Sequence, residues 1–241
     1  MLSVIVPVYN ESENIRPLLD ELKSVSNKTA ISEIIYIDDK SDDDTVKILE
    51  ELQNDCSLLR VIKHTKRAGQ SAAFMTGARA AGNSLIVLMD GDGQNDPADI
   101  EKLFKCYTDA SNQNKKAMVA GQRLKRQDSF LKKISSRLAN KIRSSILHDK
   151  IRDTGCSLKL IRRDDYIRLP YFNHMHRYIP ALLQRDGVKI LTVDVSHRPR
   201  EKGVSKYGFW DRLWVGVFDL IGVRWLLNRA LPENFETKEL L

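Results

Sequence analysis

The sequence has little cysteine. Cys56, Cys106 and Cys156 are far apart and odd in number, so they form neither a zinc pattern nor a disulfide framework, and a reducing cytosol fits. The five histidines show no paired metal spacing, and His197 reads as structural rather than catalytic. No stretch offers about 20 mostly uncharged apolar residues, which argues against a membrane-spanning helix. The opening Met1-Leu-Ser-Val-Ile-Val-Pro7 lacks a basic region and a cleavage site, so a strand is expected there rather than a signal peptide. There is no internal repeat and no low-complexity segment.

What is present is enough for one large α/β domain or two small ones: 241 residues, 42% of them apolar. The net charge is +7, but it is local. Lys115 to Arg152 holds twelve Lys/Arg against two Asp/Glu, so the remainder is net negative. Such a basic stretch points to a phosphate-bearing or anionic-surface partner, or to a solvated charged face. It lacks the aromatic interleaving of single-strand binders, and no nucleic-acid partner is expected.

The chain is organised around Leu85-Ile-Val-Leu-Met-Asp90-Gly-Asp92-Gly-Gln94-Asn-Asp-Pro97. A short apolar run bounded by Gly and Pro reads as a buried strand of a parallel sheet. Ligands collect at the carboxyl ends of such strands. Asp90 and Asp92, one residue apart, can address one hard cation such as Mg²⁺; taken alone, the pair also reads as an acidic turn.

Further strands are expected at Ser3–Val8, Glu33–Ile37, Leu59–Ile62, Ala117–Gly121, Ser157–Ile161 and Val188–Val195. Helices are expected from about Ser12 to Ser24 (capped by Asn10 or Ser12), after Asp42–Asp44, over Ser71–Ala81, and from Pro97 to about Asp109. The small residues of Ser71–Ala81 suit close packing on a sheet. Alternating strands and helices predict a parallel sheet. Phe130–Leu147 reads as a basic amphipathic helix. Phe209–Arg229 reads as an apolar helix lying in a membrane interface, with Trp210, Trp214 and Trp225, or packed on the domain or a subunit interface. Its Asp211, Arg212, Asp219 and Arg229 are expected on one side.

Together these motifs resemble the family 2 glycosyltransferases of GT-A fold, within them the dolichyl-phosphate mannose synthase-like branch. The resemblance covers about Ser3 to Tyr207. It implies an α/β, Rossmann-like, doubly wound, mostly parallel sheet over residues 1–207; the apolar helix read above adds a C-terminal amphipathic helical appendage over 208–241. It implies an inverting transfer of a sugar from a UDP- or GDP-sugar to a polyprenyl phosphate at the cytoplasmic membrane face. The partners are then a nucleotide sugar, a polyprenyl phosphate lipid and an anionic membrane surface; homo-oligomerisation is left open. The same fold acting on a glycan or lipid head group is the alternative, as is a non-catalytic basic module.

The resemblance also assigns residues. Pro7, Tyr9, Glu11, Asp39 and Gln70 fall on the donor side; Gln70 belongs to Ala68-Gly69-Gln70-Ser71-Ala-Ala73, similar to the family's helix start. Lys40 stands where a Gly is commoner. Asp90, Asp92 and Gln94 match the positions for Mg²⁺ or Mn²⁺. Arg123, Lys132 and Ser136 match residues near the acceptor phosphate, with Asn140 on the same helix and Arg137 as a competing candidate. Asp153-Thr-Gly155 matches a short motif beside the active site, where Asp153 orients the acceptor, takes a proton or caps a turn. Arg200-x-x-Gly203-x-Ser205-Lys206 matches the donor-phosphate signature. The expected catalytic set is Asp92, Asp153 and Arg200. Charge developing on a departing diphosphate explains why acids holding a metal and fixed cations are needed.

Overall fold

The computed structural model describes residues 1–112, 116–123, 143, 146–147, 153–199 and 209–229. In chain order they form β1 (Leu2–Val8), α1 (Ser12–Thr29), β2 (Ile31–Asp38), α2 (Thr45–Asp55), β3 (Leu59–Lys63), α3 (Gln70–Ala80), β4 (Leu85–Leu88) and α4 (Asp99–Ser111). Then follow β5 (Ala117–Arg123), β6 (Lys159–Arg162), α5 (Arg163–Ile167), α6 (Ile179–Arg185), β7 (Lys189–Val195) and α7 (Phe209–Leu227). A 3₁₀ turn at Met175–Arg177 precedes α6.

One seven-stranded sheet runs in the order β3-β2-β1-β4-β6-β5-β7. The β3-β2-β1-β4 half is parallel throughout. β6 is antiparallel to both β4 and β5, while β5 and β7 pair in parallel. The expected α/β, mostly parallel sheet is therefore observed, with β6 as the reversed strand.

Alternate residues of each strand enter opposite core layers, as the period of two requires. Leu2, Val4, Val6 and Val8 pack with Ile15, Leu19 and Leu22 of α1 and with Ile100 and Leu103 of α4. Ile5, Ile35 and Ile37 pack on the other face, with Phe74 and Ala78 of α3 and Ile179 and Leu182 of α6. Each fully buried Ile or Leu contributes about 1.5–3 kcal/mol. The small-residue helix sits as close to the sheet as expected: a Cβ on Gly77 would lie 2.3 Å from Ile5 Cγ2.

Several boundaries differ from the sequence reading. α1 runs to Thr29, and Ala30 ends it in the left-handed conformation. The cap position of α1 falls on Glu11, between the two expected residues, and Glu11 makes no side-chain cap bond. Donors at its start go instead to the next loop, Glu11 N to Thr45 Oγ1 at 3.0 Å and Ser12 N to Asp43 Oδ2 at 3.3 Å. α5, the 3₁₀ turn and α6 had no sequence expectation, because elements of five, three and seven residues are too short to display a 3.6-residue period.

α7 forms where a helix was expected, and its inward face docks on the domain. Val223 is buried beside α6, Tyr178 Oη donates to the Gly216 carbonyl at 3.4 Å, and His174 Nδ1 lies 3.3 Å from Asp219. Phe218 (71% exposed), Ile221, Trp225 and Val217 face outward. Asp219 thus turns to the domain, whereas Arg229 stacks 5.6 Å from the outward Trp225 ring. Of the four polar residues expected on one side, Asp219 and Arg229 therefore part, while the side chains of Asp211 and Arg212 lie outside the described ones. The basic helix Phe130–Leu147 lies outside the described residues, apart from Arg143, Ile146 and Leu147.

Candidate active site

The central strand β4 lies between β1 and β6, so its exit is flanked by both halves of the sheet. Beyond it, Gly91 lets the chain press against the end of β1. A Cβ there would lie 2.5 Å from Val8 Cγ1 and 3.0 Å from the Pro7 carbonyl. Gly93 follows at φ +73°, in the left-handed region. The turn brings Gln94 N to Asp92 Oδ1 at 3.2 Å. Asp90 Oδ1 accepts from Gln70 Nε2 at 2.6 Å, which joins the start of α3 to the acid motif. Burial and the neighbouring Asp92 charge push the Asp90 carboxyl up to about 6, against Ser157, Lys159 and Arg123, which pull it down.

The second half of the sheet supplies the positive charge. Arg123 ends β5 and grips Asp153 with two nitrogens, Nε to Oδ2 at 2.5 Å and Nη2 to Oδ1 at 2.7 Å. A Cβ on Gly155 would lie 3.2 Å from Arg123 Nη2, so glycine permits the close turn. Lys159 is buried at the start of β6 and donates to the Cys156 carbonyl. Burial pushes its ammonium below the ordinary value, while Asp90 and Asp153 oppose that shift. Asn95 Nδ2 donates to Ser157 Oγ at 3.0 Å and ties the acid loop to this segment.

The first half of the site edge is held by loop-to-loop bonds. Asn10, at φ +53°, donates its backbone N–H to Ser41 Oγ at 2.9 Å, and its side chain exchanges bonds with Asp42. Glu11 Oε2 accepts from Asn14 Nδ2 at 2.7 Å. The Arg67 guanidinium stacks 3.9 Å from the centre of the Tyr9 ring. Asp39 is buried; its Oδ1 accepts from Ala68 N and its Oδ2 from Gly69 N, each at 2.8 Å. His64 Nδ1 joins Asp39 Oδ1 at 2.9 Å and His64 Nε2 meets Thr76 Oγ1 at 2.9 Å.

Of the expected residues, Asp90, Asp92, Gln94 and Asp153 thus lie in interlinked loops at this end of the sheet, with Gln70 at the start of α3 and Arg123 at the end of β5 beside them. Pro7, Tyr9, Glu11 and Asp39 lie at the neighbouring ends of β1 and β2. Lys132, Ser136, Arg200 and Lys206 lie outside the described residues, as do Arg137, Asn140, Gly203 and Ser205. The sequence reading missed Lys159, Ser157, Asn95, His64 and Arg67. Lys159 left one signal: a lysine inside the apolar run Leu158-Lys-Leu-Ile161 must find counter-charges if the run is a buried strand.

Three carboxylates (Asp90, Asp92, Asp153) face two cations (Arg123, Lys159) in this cluster. An excess of negative charge, carried by hard oxygen donors, fits Mg²⁺ or Mn²⁺, which take one or two carboxylates together with substrate phosphates. Among the described residues no three His, Cys, Asp or Glu side chains converge as a self-contained metal cage.

Comparison with known proteins agrees with this geometry. The family model for glycosyl transferase family 2 matches residues 3–169. A dodecaprenyl-phosphate galacturonate synthase from Rhizobium johnstonii is 34% identical over 97% of this chain and 70% of its own length. An undecaprenyl-phosphate 4-deoxy-4-formamido-L-arabinose transferase from Proteus mirabilis is 32% identical over 86% of this chain and 63% of its own length. The chain therefore spans about two thirds of these relatives. Among solved structures, a mannosyltransferase from Pyrobaculum calidifontis in complex with GDP-Man and Mn²⁺ matches with a TM-score of 0.66 at 18% identity, covering 96% of this chain and 65% of that one. Glucosyl-3-phosphoglycerate synthase from Mycobacterium tuberculosis, with Mn²⁺, UDP and glucosyl-3-phosphoglycerate, matches with a TM-score of 0.65 at 18% identity, over 93% of this chain and 79% of that one. These two likenesses establish a shared GT-A fold. With a family model matched across most of its sheet and relatives above 30% identity along nearly its whole length, the chain belongs to glycosyl transferase family 2.

Proposed function

We propose that this chain transfers a sugar from a nucleoside diphosphate sugar to a polyprenyl phosphate. The observation that carries the reading is the cluster at the end of β4, where acids outnumber bases beside the Arg123–Asp153 pair. Relatives named for dodecaprenyl and undecaprenyl phosphates support this acceptor class.

In the proposed reaction an acceptor phosphate oxygen attacks the anomeric carbon while the bond to the diphosphate breaks. One in-line displacement inverts that carbon. The acceptor is already an anion near neutral pH, so positioning matters more than deprotonation. Asp153, bonded to Arg123 through both oxygens, aims that guanidinium at the acceptor phosphate rather than acting as a strong base. Lys132 and Ser136 complete the acceptor site. Pro7, Tyr9, Glu11 and Asp39 hold the nucleoside, and Arg200 and Lys206 the diphosphate. Asp90, Asp92 and Gln94 would hold Mg²⁺ or Mn²⁺, with Gln70 orienting Asp90. When bound, that cation supplies Lewis-acid stabilisation of the leaving diphosphate.

The acceptor resides in a bilayer, so the enzyme must reach it. No described helix is long and apolar enough to cross a membrane. Exposed Phe218, Ile221 and Trp225 on α7 support peripheral attachment through an interfacial helix; the cytoplasmic face is part of the proposal. The deciding assay offers labelled UDP- and GDP-sugars to the protein with undecaprenyl phosphate in vesicles. Label is expected in the lipid, and only with a divalent cation. No transfer from any sugar nucleotide to polyprenyl phosphate, alongside transfer to a glycan, would move the reading to the other acceptor class.

A further inference from the structure

We infer that Arg198 is a positioning residue that holds the acid loop after β4 in its cation-binding shape. The inference rests on the proposed metal role of Asp90, Asp92 and Gln94. That loop has no helix or strand of its own between Met89 and Ala98. On one side Asp92 and Gly93 border a cavity of about 400 Å³, lined also by Asn14, Pro17, Glu21 and Arg198. Packed side chains therefore do not back the loop there, and polar contacts must.

Those contacts come from the segment just beyond β7. Arg198 N donates to the Gln94 carbonyl at 3.0 Å, and Gln94 Nε2 donates back to the Arg198 carbonyl at 3.4 Å. The guanidinium spans the cavity wall. Its Nη2 lies 2.9 Å from Asp96 Oδ2, and its Nη1 contacts both oxygens of Glu21 on α1, at 2.9 and 2.8 Å. Two residues earlier, Ser196 N donates to Asp99 Oδ2 at 2.6 Å, at the start of α4. The loop is thus pinned on both sides of Pro97 to one strap, and the strap to α1.

The consequence for the site lies in the Gln94 amide. An amide offers two N–H donors and one carbonyl acceptor. With Nε2 turned to the Arg198 carbonyl, Oε1 is the end left for a cation. The Arg198 side chain fixes the backbone that makes this choice. Partners one shell out from metal ligands commonly change affinity by about 10–100-fold. Glu21 and Arg198 are part-exposed here, so the lower end applies.

The test measures Mn²⁺ binding to the full chain by electron paramagnetic resonance, with and without UDP or GDP, beside thermal melts. Arg198→Met keeps the aliphatic stem and removes the clamp. Mn²⁺ affinity is expected to fall about tenfold, with the melting temperature nearly unchanged. Glu21→Gln, which loosens the same guanidinium from α1, should lower it less, and Arg198→Lys should be intermediate. Melting would shift in a purely structural role; Mn²⁺ affinity at constant fold would not. Wild-type affinity in both Arg198→Met and Glu21→Gln overturns the clamp while leaving the proposed function intact. If the unaltered chain itself binds no Mn²⁺ with either nucleotide, the metal reading falls and the clamp's role with it.

Discussion

Two acid pairs sit at the ends of strands that flank β1 on either side, and the fold uses them differently. At the end of β2, Asp38 accepts twice from Ser41 N, at 3.1 and 3.2 Å, and Asp39 binds two loop amides and His64. Those carboxylates are buried, and their charge is spent on backbone donors. At the end of β4, Asp90 and Asp92 repel each other, and Asp90 is held well above its ordinary value. The hydrogen bonds of the first pair shape the loop in which Asp39 is proposed to meet the nucleoside; the mutual repulsion of the second pair favours a cation beside it. Both pairs stand at the carboxyl end of an apolar strand, but Asp38 and Asp39 are adjacent while Gly91 separates Asp90 from Asp92, and the hydrogen bonds each pair receives separate them further.

The largest expected break in this symmetry is catalytic. Asp92→Asn should lower sugar transfer by at least roughly 10²–10³-fold, the scale of losing one electrostatic contact to developing charge. Its melting temperature should hold or rise, because a like-charge repulsion disappears. Label-transfer assays and thermal melts together decide this, and a variant with undiminished turnover would sink the assignment.

The mirror-image change should act on folding first. Asp39→Ala strands the amides of Ala68 and Gly69 and one face of His64. Ala68 is exposed and Gly69 and His64 are half-buried, so water takes up much of what is freed, and the cost stays near the lower end of the roughly 1–3 kcal/mol of an unsatisfied group. A loss of about 1–2 kcal/mol is expected, visible as a lower denaturant midpoint. Unchanged stability would mean that Asp39 is held for its ligand alone.

The third expectation concerns pH. Asp90 titrates at about 6 in the folded chain against an ordinary 3.8. The folded state thus binds this proton more tightly than the unfolded state. Its contribution to the metal-free fold is full at low pH and is lost as pH rises from about 4 to about 6. A cation needs the ionised carboxylate. Mn²⁺ affinity should therefore climb with pH to about 6 and then level off, while Asp90→Asn flattens the metal-free stability profile. Titrations at several pH values test both halves; an affinity constant from pH 5 to pH 7 would refute them.

The contrast between the pairs was only half legible in the sequence. Apolar runs such as Glu33–Ile37 and Leu85–Leu88 announced buried strands, and both acid pairs stood visibly at their ends. Gly77 and its small neighbours announced close packing of α3. What decided the use of each pair lay far away in the chain. Asp39 is satisfied by Ala68 and Gly69, while Asp90 is balanced by Arg123 and Lys159 from the other half of the sheet. Lys159 reaches that point because β6 runs antiparallel between β4 and β5. The direction of a four-residue strand is set by the sheet, not by its own residues. For the same reason the Arg198 strap was invisible: its partners, Glu21, Gln94 and Asp96, are at least a hundred residues distant.

The smallest effect concerns the residue just after the satisfied pair. Lys40 adopts φ +67°, in the left-handed region that favours glycine, and its side chain is exposed. A non-glycine residue held there costs about 1–2 kcal/mol. Glycine removes that strain but gives the unfolded chain more freedom, worth about 0.4–1 kcal/mol the other way. Lys40→Gly should therefore stabilise the fold by about 0.5 kcal/mol, or about 1–2 °C in melting temperature for a chain of this length. Ala30→Gly provides the control, because Ala30 has φ +56° at the end of α1, away from the acid pairs. If strain alone is relieved, both variants gain similarly. If Lys40→Gly loses stability while Ala30→Gly gains, the lysine charge beside Asp38 and Asp39 is itself stabilising, and the first pair is less fully satisfied by its backbone donors than its hydrogen bonds indicate.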